Sequence, residues 1–201
     1  MIRLLEGKGD NSPETYDKLF KREPDWQDWR RWETLLKYYR RGSLVDLGTL
    51  NSCLPIMARK IDPLSYIVGL DQSYSAIRTQ AGIWGHVIEF KIGDVYDTQL
   101  GNFDYAVLGE VLEHLDRPAD AVKEAFRILK PGGILAISVP LEEAKELGAV
   151  DKDRHLWSFD KQDIIDLVAP YSNRMKFKVL RSQWFPYRYC WPTLICWAWK
   201  K

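Results

Sequence analysis

Long apolar runs are missing from this chain of 201 residues. No stretch approaches the ~18 consecutive apolar residues of a membrane span. Met1–Glu6 meets charge too soon for a secretory leader, so a cytoplasmic setting without membrane partners is expected. Cysteine is scarce: Cys53, Cys190 and Cys196 form an odd set without a Cys-x-x-Cys pair. That spacing argues against a disulfide framework or structural zinc and fits reduced thiols. An excess of one charge is also lacking, since 29 basic against 28 acidic residues leave a net charge of +1. The pull toward nucleic acid or membrane is correspondingly weak. Internal repeats and low-complexity segments are absent. Tryptophan is abundant instead, with nine residues. Trp26, Trp29 and Trp32 lie near the start, and Trp184, Trp191, Trp197 and Trp199 near the end.

The length suggests one domain. Residues 1–24 are polar and irregular and read as an N-terminal arm; residues 25–201 read as the domain. From Asp25 to Arg41, Trp29, Trp32, Leu36 and Tyr39 recur at helical spacing and give one apolar face. Gly42 ends that helix. Short apolar runs then alternate with helical stretches. Strands are expected at 44–47, 66–70, 87–92, 103–108 and 134–139, and helices at 52–60, 73–82 and around 122–129. Lys130-Pro131-Gly132-Gly133 reads as a stop and turn. Ser158 reads as the N-cap of a helix to about Val168, with Asp160 in its first turn. Two strands, about 175–184 and 193–199, follow with a connection too short for a helical crossover, so they should pair antiparallel at a sheet edge. The fold class expected is α/β: a doubly wound, mostly parallel seven-stranded sheet, Rossmann-like, with helices on both faces.

Such sheets bind ligands at the carboxyl ends of their strands. After the first strand comes Asp46-Leu47-Gly48-Thr49-Leu50-Asn51-Ser52, where a glycine lets the backbone approach a ligand and helix-start amides favour an anionic group. After the second stand Asp71 and Gln72; an acid there can accept from both hydroxyls of a ribose. After the third comes Gly93-Asp94-Val95, a carboxylate for an exocyclic amine and an apolar contact for a base. Gly109-Glu110-Val111-Leu112-Glu113-His114 follows the fourth.

Asp46–Gly48, Asp71, Gly93-Asp94, Glu110–Leu115 and Leu129–Gly133, in this order, resemble the successive motifs of the class I S-adenosylmethionine (SAM)-dependent methyltransferases, and in particular the small-molecule enzymes of the ubiquinone-pathway type. The resemblance runs from about residue 30 to the C-terminus. It implies the sheet order 3-2-1-4-5-7-6, SAM as cofactor and S-adenosylhomocysteine as product. It places Gly48 beside the methionine moiety, Asp71 on the ribose and Asp94 near the adenine, and it makes Asp46, Thr49, Leu50, Gln72, Val95, Gly109 and Glu110 the further cofactor-binding candidates. One departure stands out. The family's first loop reads Asp-x-Gly-x-Gly-x-Gly, and here Leu50 and Ser52 occupy the second and third glycine positions.

Methyl transfer from a sulfonium requires alignment above all, and a base only where the acceptor loses a proton. His114, His155 and Glu110 are the candidate catalytic residues; His86 precedes a strand and carries no role. Were the turn after the fourth strand helical, Glu110 would share a face with Glu113 and His114. With His155, that set could hold a divalent metal, as in the small-RNA 3′-end 2′-O-methyltransferases it resembles, although the same run is common without metal, and none is expected here. The function expected is methylation of a small-molecule acceptor, at oxygen, by a monomer or homodimer. RNA 3′-end 2′-O-methylation is an alternative that the charge balance opposes. A non-catalytic methyltransferase-fold binding subunit is a third reading, resting on the replaced glycines. Trp29 and Trp32 read as helix core, and Trp197 and Trp199 as strand packing. Trp184–Trp191 reads as an aromatic loop for an acceptor, a subunit or a base.

Overall fold

The computed structural model describes residues 2–3, 12–15, 26–141, 155–181 and 192–201. Its main sheet has seven strands: β1 Leu44–Leu47, β2 Ile67–Asp71, β3 Glu89–Ile92, β4 Phe103–Gly109, β5 Leu129–Pro140, β6 Ser172–Leu180 and β7 Thr193–Lys200. Their spatial order is β3-β2-β1-β4-β5-β7-β6. Strands β1 to β5 pair in parallel, and β7 runs antiparallel to both β5 and β6. This is the expected doubly wound, Rossmann-like architecture and order.

Among the described residues, five helices cover the sheet: α1 Trp26–Leu35, α2 Leu54–Ile61, α3 Tyr74–Trp84, α4 Pro118–Ile128 and α5 Lys161–Val168. Alternation along the strands sends successive side chains to opposite faces. Along β7, Leu194, Cys196 and Ala198 join the cluster with Val122 and Phe126 of α4 and Ile164 and Val168 of α5. Ile195 and Trp197 join the other, with Trp32 and Leu35 of α1 and Leu54 and Ala58 of α2. Each fully buried Leu, Ile or Val there contributes roughly 1.5–3 kcal/mol by leaving water.

Helix α1 is tied to the sheet at its last turn. The Tyr105 hydroxyl and the Trp197 indole both donate to the Leu35 carbonyl, at 2.6 and 3.0 Å, satisfying an acceptor that a helix end would leave orphaned. That anchor fixes which side chains of α1 overhang the carboxyl ends of the strands.

Several expectations change in detail. The helical stripe from 25 to 41 is α1 followed by the 3₁₀ turn Leu36–Tyr38. Trp32 is buried, but Trp29 is 46% exposed and meets Trp32 edge-on at 5.4 Å, because the sheet-facing stripe is Trp32, Leu35, Leu36 and Tyr39. Lys130–Gly133 is a bulge within β5 rather than a stop: Leu129 pairs with Phe103, and pairing resumes at Ile134 with Tyr105. The N-cap of α5 is Asp160, not Ser158. Its carboxylate accepts from the Asp163 amide while Asp163 accepts from the Asp160 amide, a reciprocal box that Ser158 cannot form. Ser158 instead lies in the short strand Trp157–Ser158, which pairs antiparallel with Ile2–Arg3 of the expected arm. The aromatic loop Trp184–Trp191, Cys190 included, lies outside the described residues. Cys53 and Cys196 are free thiols. No helix among the described residues is long and apolar enough to cross a membrane.

Candidate active site

The carboxyl end of β1 delivers a buried acid and a tight loop. Asp46 accepts from the Thr49 hydroxyl at 2.9 Å. Burial raises its carboxyl to about 6; the Thr49 and Ser52 hydroxyls oppose that rise, Asp71 adds to it and Arg31 opposes it. Gly48 has φ +77, and a Cβ there would lie 2.6 Å from Val111. Both the conformation and the space therefore require glycine.

The loop then folds onto β2. The Gly48 and Thr49 amides donate to the Leu70 carbonyl at 2.8 and 3.0 Å, and the Ser52 amide to Thr49 at 2.6 Å. Leu50 sits at φ +35, in the left-handed half where a leucine is strained, and its amide donates to Asp71 Oδ2 at 2.8 Å. Leu50 thus has a glycine-like backbone, and its amide is drawn onto Asp71. Four loop amides, those of Gly48, Thr49, Leu50 and Ser52, are spent inside the protein.

Asp71 ends β2, is buried, and accepts from the Ser73 amide through Oδ1 at 2.8 Å. A carboxylate has about four acceptor sites on its two oxygens, and these bonds fix its plane. Gln72 beside it is exposed. Asp94 is also exposed and accepts from the Tyr96 amide at 2.9 Å, with Val95 half-buried behind it. Gly93 donates to the Asp71 carbonyl at 3.0 Å, which joins the two acid-bearing turns.

Helix α1 supplies what the sequence reading missed. Asp28 and Arg31 reach over the site, paired at 2.7 Å. Arg31 also lies 4.0 Å from Glu110. Burial works against its charge, but Glu110, Asp28 and Glu113 outweigh burial and hold its pKa above the usual arginine value. Arg31 Nε and Glu110 Oε1 are both buried without a hydrogen-bond partner. A buried donor and a buried acceptor left open at one place are costly unless something fills them. Guanidinium and carboxylate together match the two charges of a free α-amino acid group. The signal in the sequence was an arginine between Trp29 and Trp32, which looks like the solvated side of an amphipathic helix.

Glu110 sits just past Gly109, which ends β4, at φ +56. Its amide donates to the Ser138 carbonyl at 3.0 Å. The turn that follows is the 3₁₀ segment Leu112–His114, so Glu110 does not share a helical face with Glu113 and His114. The four-residue set expected from the sequence resolves into two groups. Glu110 stands with Arg31. Glu113, His114 and His155 come together, with one ligand atom from each lying within 4.8 Å of the others. The two imidazole rings meet edge-on at 4.7 Å, and Glu113 is buried. The Leu156 amide donates to the Glu113 carbonyl at 2.7 Å, and the Trp157 indole to the Leu115 carbonyl at 2.7 Å. These two bonds carry His155 back onto the turn after β4.

Residues 45–137 match the family described as Methyltransferase domain. The chain is 32% identical over 103 residues to an uncharacterized 37.1 kDa transposon protein of Streptomyces fradiae, covering 49% of this chain and 28% of that one. It is 29% identical over 119 residues to a demethylmenaquinone methyltransferase of Listeria monocytogenes, covering 54% of this chain and 49% of that one. The matches thus span half or less of these curated relatives. Among solved structures, the N-methyltransferase NodS of Bradyrhizobium japonicum, in complex with S-adenosylhomocysteine, superposes with a TM-score of 0.73 at 15% identity, over 95% of this chain and 99% of that one. At that identity the likeness establishes the fold.

Proposed function

We propose that the protein is a SAM-dependent methyltransferase acting on a small-molecule acceptor at oxygen. The observation that carries the cofactor reading is the open pair Arg31 Nε and Glu110 Oε1, with Arg31 also acting on Asp46. It fits the carboxylate and ammonium of a methionine group. Asp71 would accept from the ribose hydroxyls, Gln72 would border them, and Asp94 with Val95 would meet the adenine. Bound there, SAM supplies an electrophilic methyl group. The protein's share is to hold both reactants in line and to receive a proton from the acceptor. His114 and His155 suit that task, since a neutral imidazole carries one ring nitrogen that can accept a proton. A monomer or homodimer in the cytoplasm remains our reading.

Calorimetric titration with S-adenosylhomocysteine tests this, on the parent protein and on Asp71→Ala. Micromolar binding that the substitution abolishes is the expected result. No binding to the parent would favour the non-catalytic subunit instead.

The Glu113, His114 and His155 cluster supports a second reading, in which a divalent ion binds a hydroxyl acceptor and lowers its pKa. Acceptor screening with EDTA and then with Mg²⁺ or Mn²⁺ separates an imidazole base from a metal-assisted one. The RNA alternative called for Glu110 in the same set, and Glu110 stands with Arg31.

A further inference from the structure

The amino ends of the parallel strands form the pole opposite the cofactor loops, and methyl transfer makes no use of it. The chain enters β1 there through Lys37, Arg40 and Arg41, all exposed. A cleft of ≈ 250 Å³ opens beside them, lined by Tyr38, Arg40, Arg41, Asp104 and Lys130. Next to it runs β6, the outermost strand. Arg174, Lys176 and Lys178 alternate along it and are exposed, so they share one face. Arg174 stands opposite Trp199 of β7, and Lys176 opposite Trp197.

Tyr38 joins cleft and strand. Its ring meets Trp199 edge-on at 5.3 Å. Lys37 and Lys176 lie over it at 5.4 and 5.2 Å, and Arg174 lies over Trp199 at 4.3 Å. The positive field is strong enough to act on the Tyr38 phenol. Burial would raise its pKa, yet Lys176 and Lys37 bring it below the usual tyrosine value. Lys130 is paired with Asp104 at 2.9 Å. Among the described residues no carboxylate lies within ion-pair distance of Lys37, Arg40, Arg41, Arg174 or Lys176. In a chain of net charge +1, that is a concentrated local excess.

We infer that this pole docks an acidic, extended segment of a partner protein, laid along the outer edge of β6 with its carboxylates over Arg174 and Lys176 and at the cleft beside Arg40 and Arg41. No strand of the described residues pairs with that edge, and its main chain offers donors and acceptors at strand spacing, which an extended peptide matches. Basic side chains on an edge repel an identical edge, which excludes a second copy and selects an acidic one. Single-stranded nucleic acid is the weaker occupant. It relies on open ring faces for stacking, and here cations lie over both rings.

Fluorescence anisotropy tests the inference, with a labelled peptide alternating glutamate and threonine and a labelled oligouridylate of equal charge. The peptide should bind saturably, weaken as salt rises, and lose about tenfold in affinity on Arg40→Glu with Lys176→Glu. Lys123→Glu on α4 should bind as the parent does. Thermal melting checks that the double variant is folded; the neutral pair Arg174→Gln with Lys176→Gln replaces it if it is not. No saturable peptide binding, tighter binding of the oligouridylate, or unchanged affinity in the folded variants would each overturn the proposal.

Discussion

Gly48 and Leu50 share a loop and a left-handed backbone but carry opposite consequences. Gly48→Ala puts a methyl 2.6 Å from Val111 at φ +77. It should destabilise the fold by about 1–3 kcal/mol and remove S-adenosylhomocysteine binding, measured by denaturant unfolding and calorimetry. Leu50→Gly relieves a strained φ of +35, while the added freedom of the unfolded chain costs roughly 0.5–1 kcal/mol. Stability should stay nearly level and cofactor affinity should rise; a weaker binder would show that the Leu50 side chain contributes a contact.

Asp46 and Glu124 predict pH effects of opposite sign. The Asp46 carboxyl is raised to about 6 by burial. Its contribution is fully present below the unfolded value near 4 and is lost as pH rises through about 6. Asp46→Asn should therefore gain on the parent between pH 4 and 6, by on the order of 2–3 kcal/mol, and hold that gain above. For Glu124 burial raises the carboxyl, but Arg127 and Thr98 outweigh it and bring it down to about 2. Its contribution is present above the ordinary glutamate range and is lost as pH falls toward 2, so Glu124→Gln should flatten the acid limb. Urea unfolding from pH 2 to 8 reads both.

At the scale of elements, α1 carries the Arg31 that we propose receives the amino-acid end of the cofactor. Arg31→Gln removes a charged donor worth about 1.5–3 kcal/mol, so S-adenosylhomocysteine affinity should fall roughly 10–100-fold. Methylthioadenosine, which has no amino-acid group, should bind unchanged. Equal losses for both ligands would assign Arg31 to packing instead. The strands, the glycine turn and the acids after β2 and β3 were legible in the sequence, because each follows from an apolar run and the residue just beyond it, whereas the sheet order came from the resemblance to the methyltransferase family. Arg31 was not, since the anchor that aims α1 comes from Tyr105 and Trp197, distant in sequence. Nor was the separation of Glu110 from Glu113 and His114, which depends on a positive φ at a glutamate. Ser158 and Asp160 both suit an N-cap, and only the reply from Asp163 distinguishes them. The bulge at Lys130–Gly133 carries the residues of a turn and is held in the sheet by pairing on either side.

Across the whole molecule, chemistry and recognition fall at opposite ends of one sheet. The parallel strands point Asp46, Asp71 and Glu110 to one pole and leave Lys37, Arg40 and Arg41 at the other. The sheet's right half also carries an order of events. β7 is made after β6 yet lies between β5 and β6. While the chain emerges from a ribosome, β5 can pair with β4, but its other edge, with apolar Leu135, Ile137 and Val139, stays open until residues 193–200 are out. β6 has no neighbour in the sheet until then. Nascent chains stalled before β7 should therefore be protease-sensitive and bound by chaperones, and release of that one strand should close both edges in a single cooperative step.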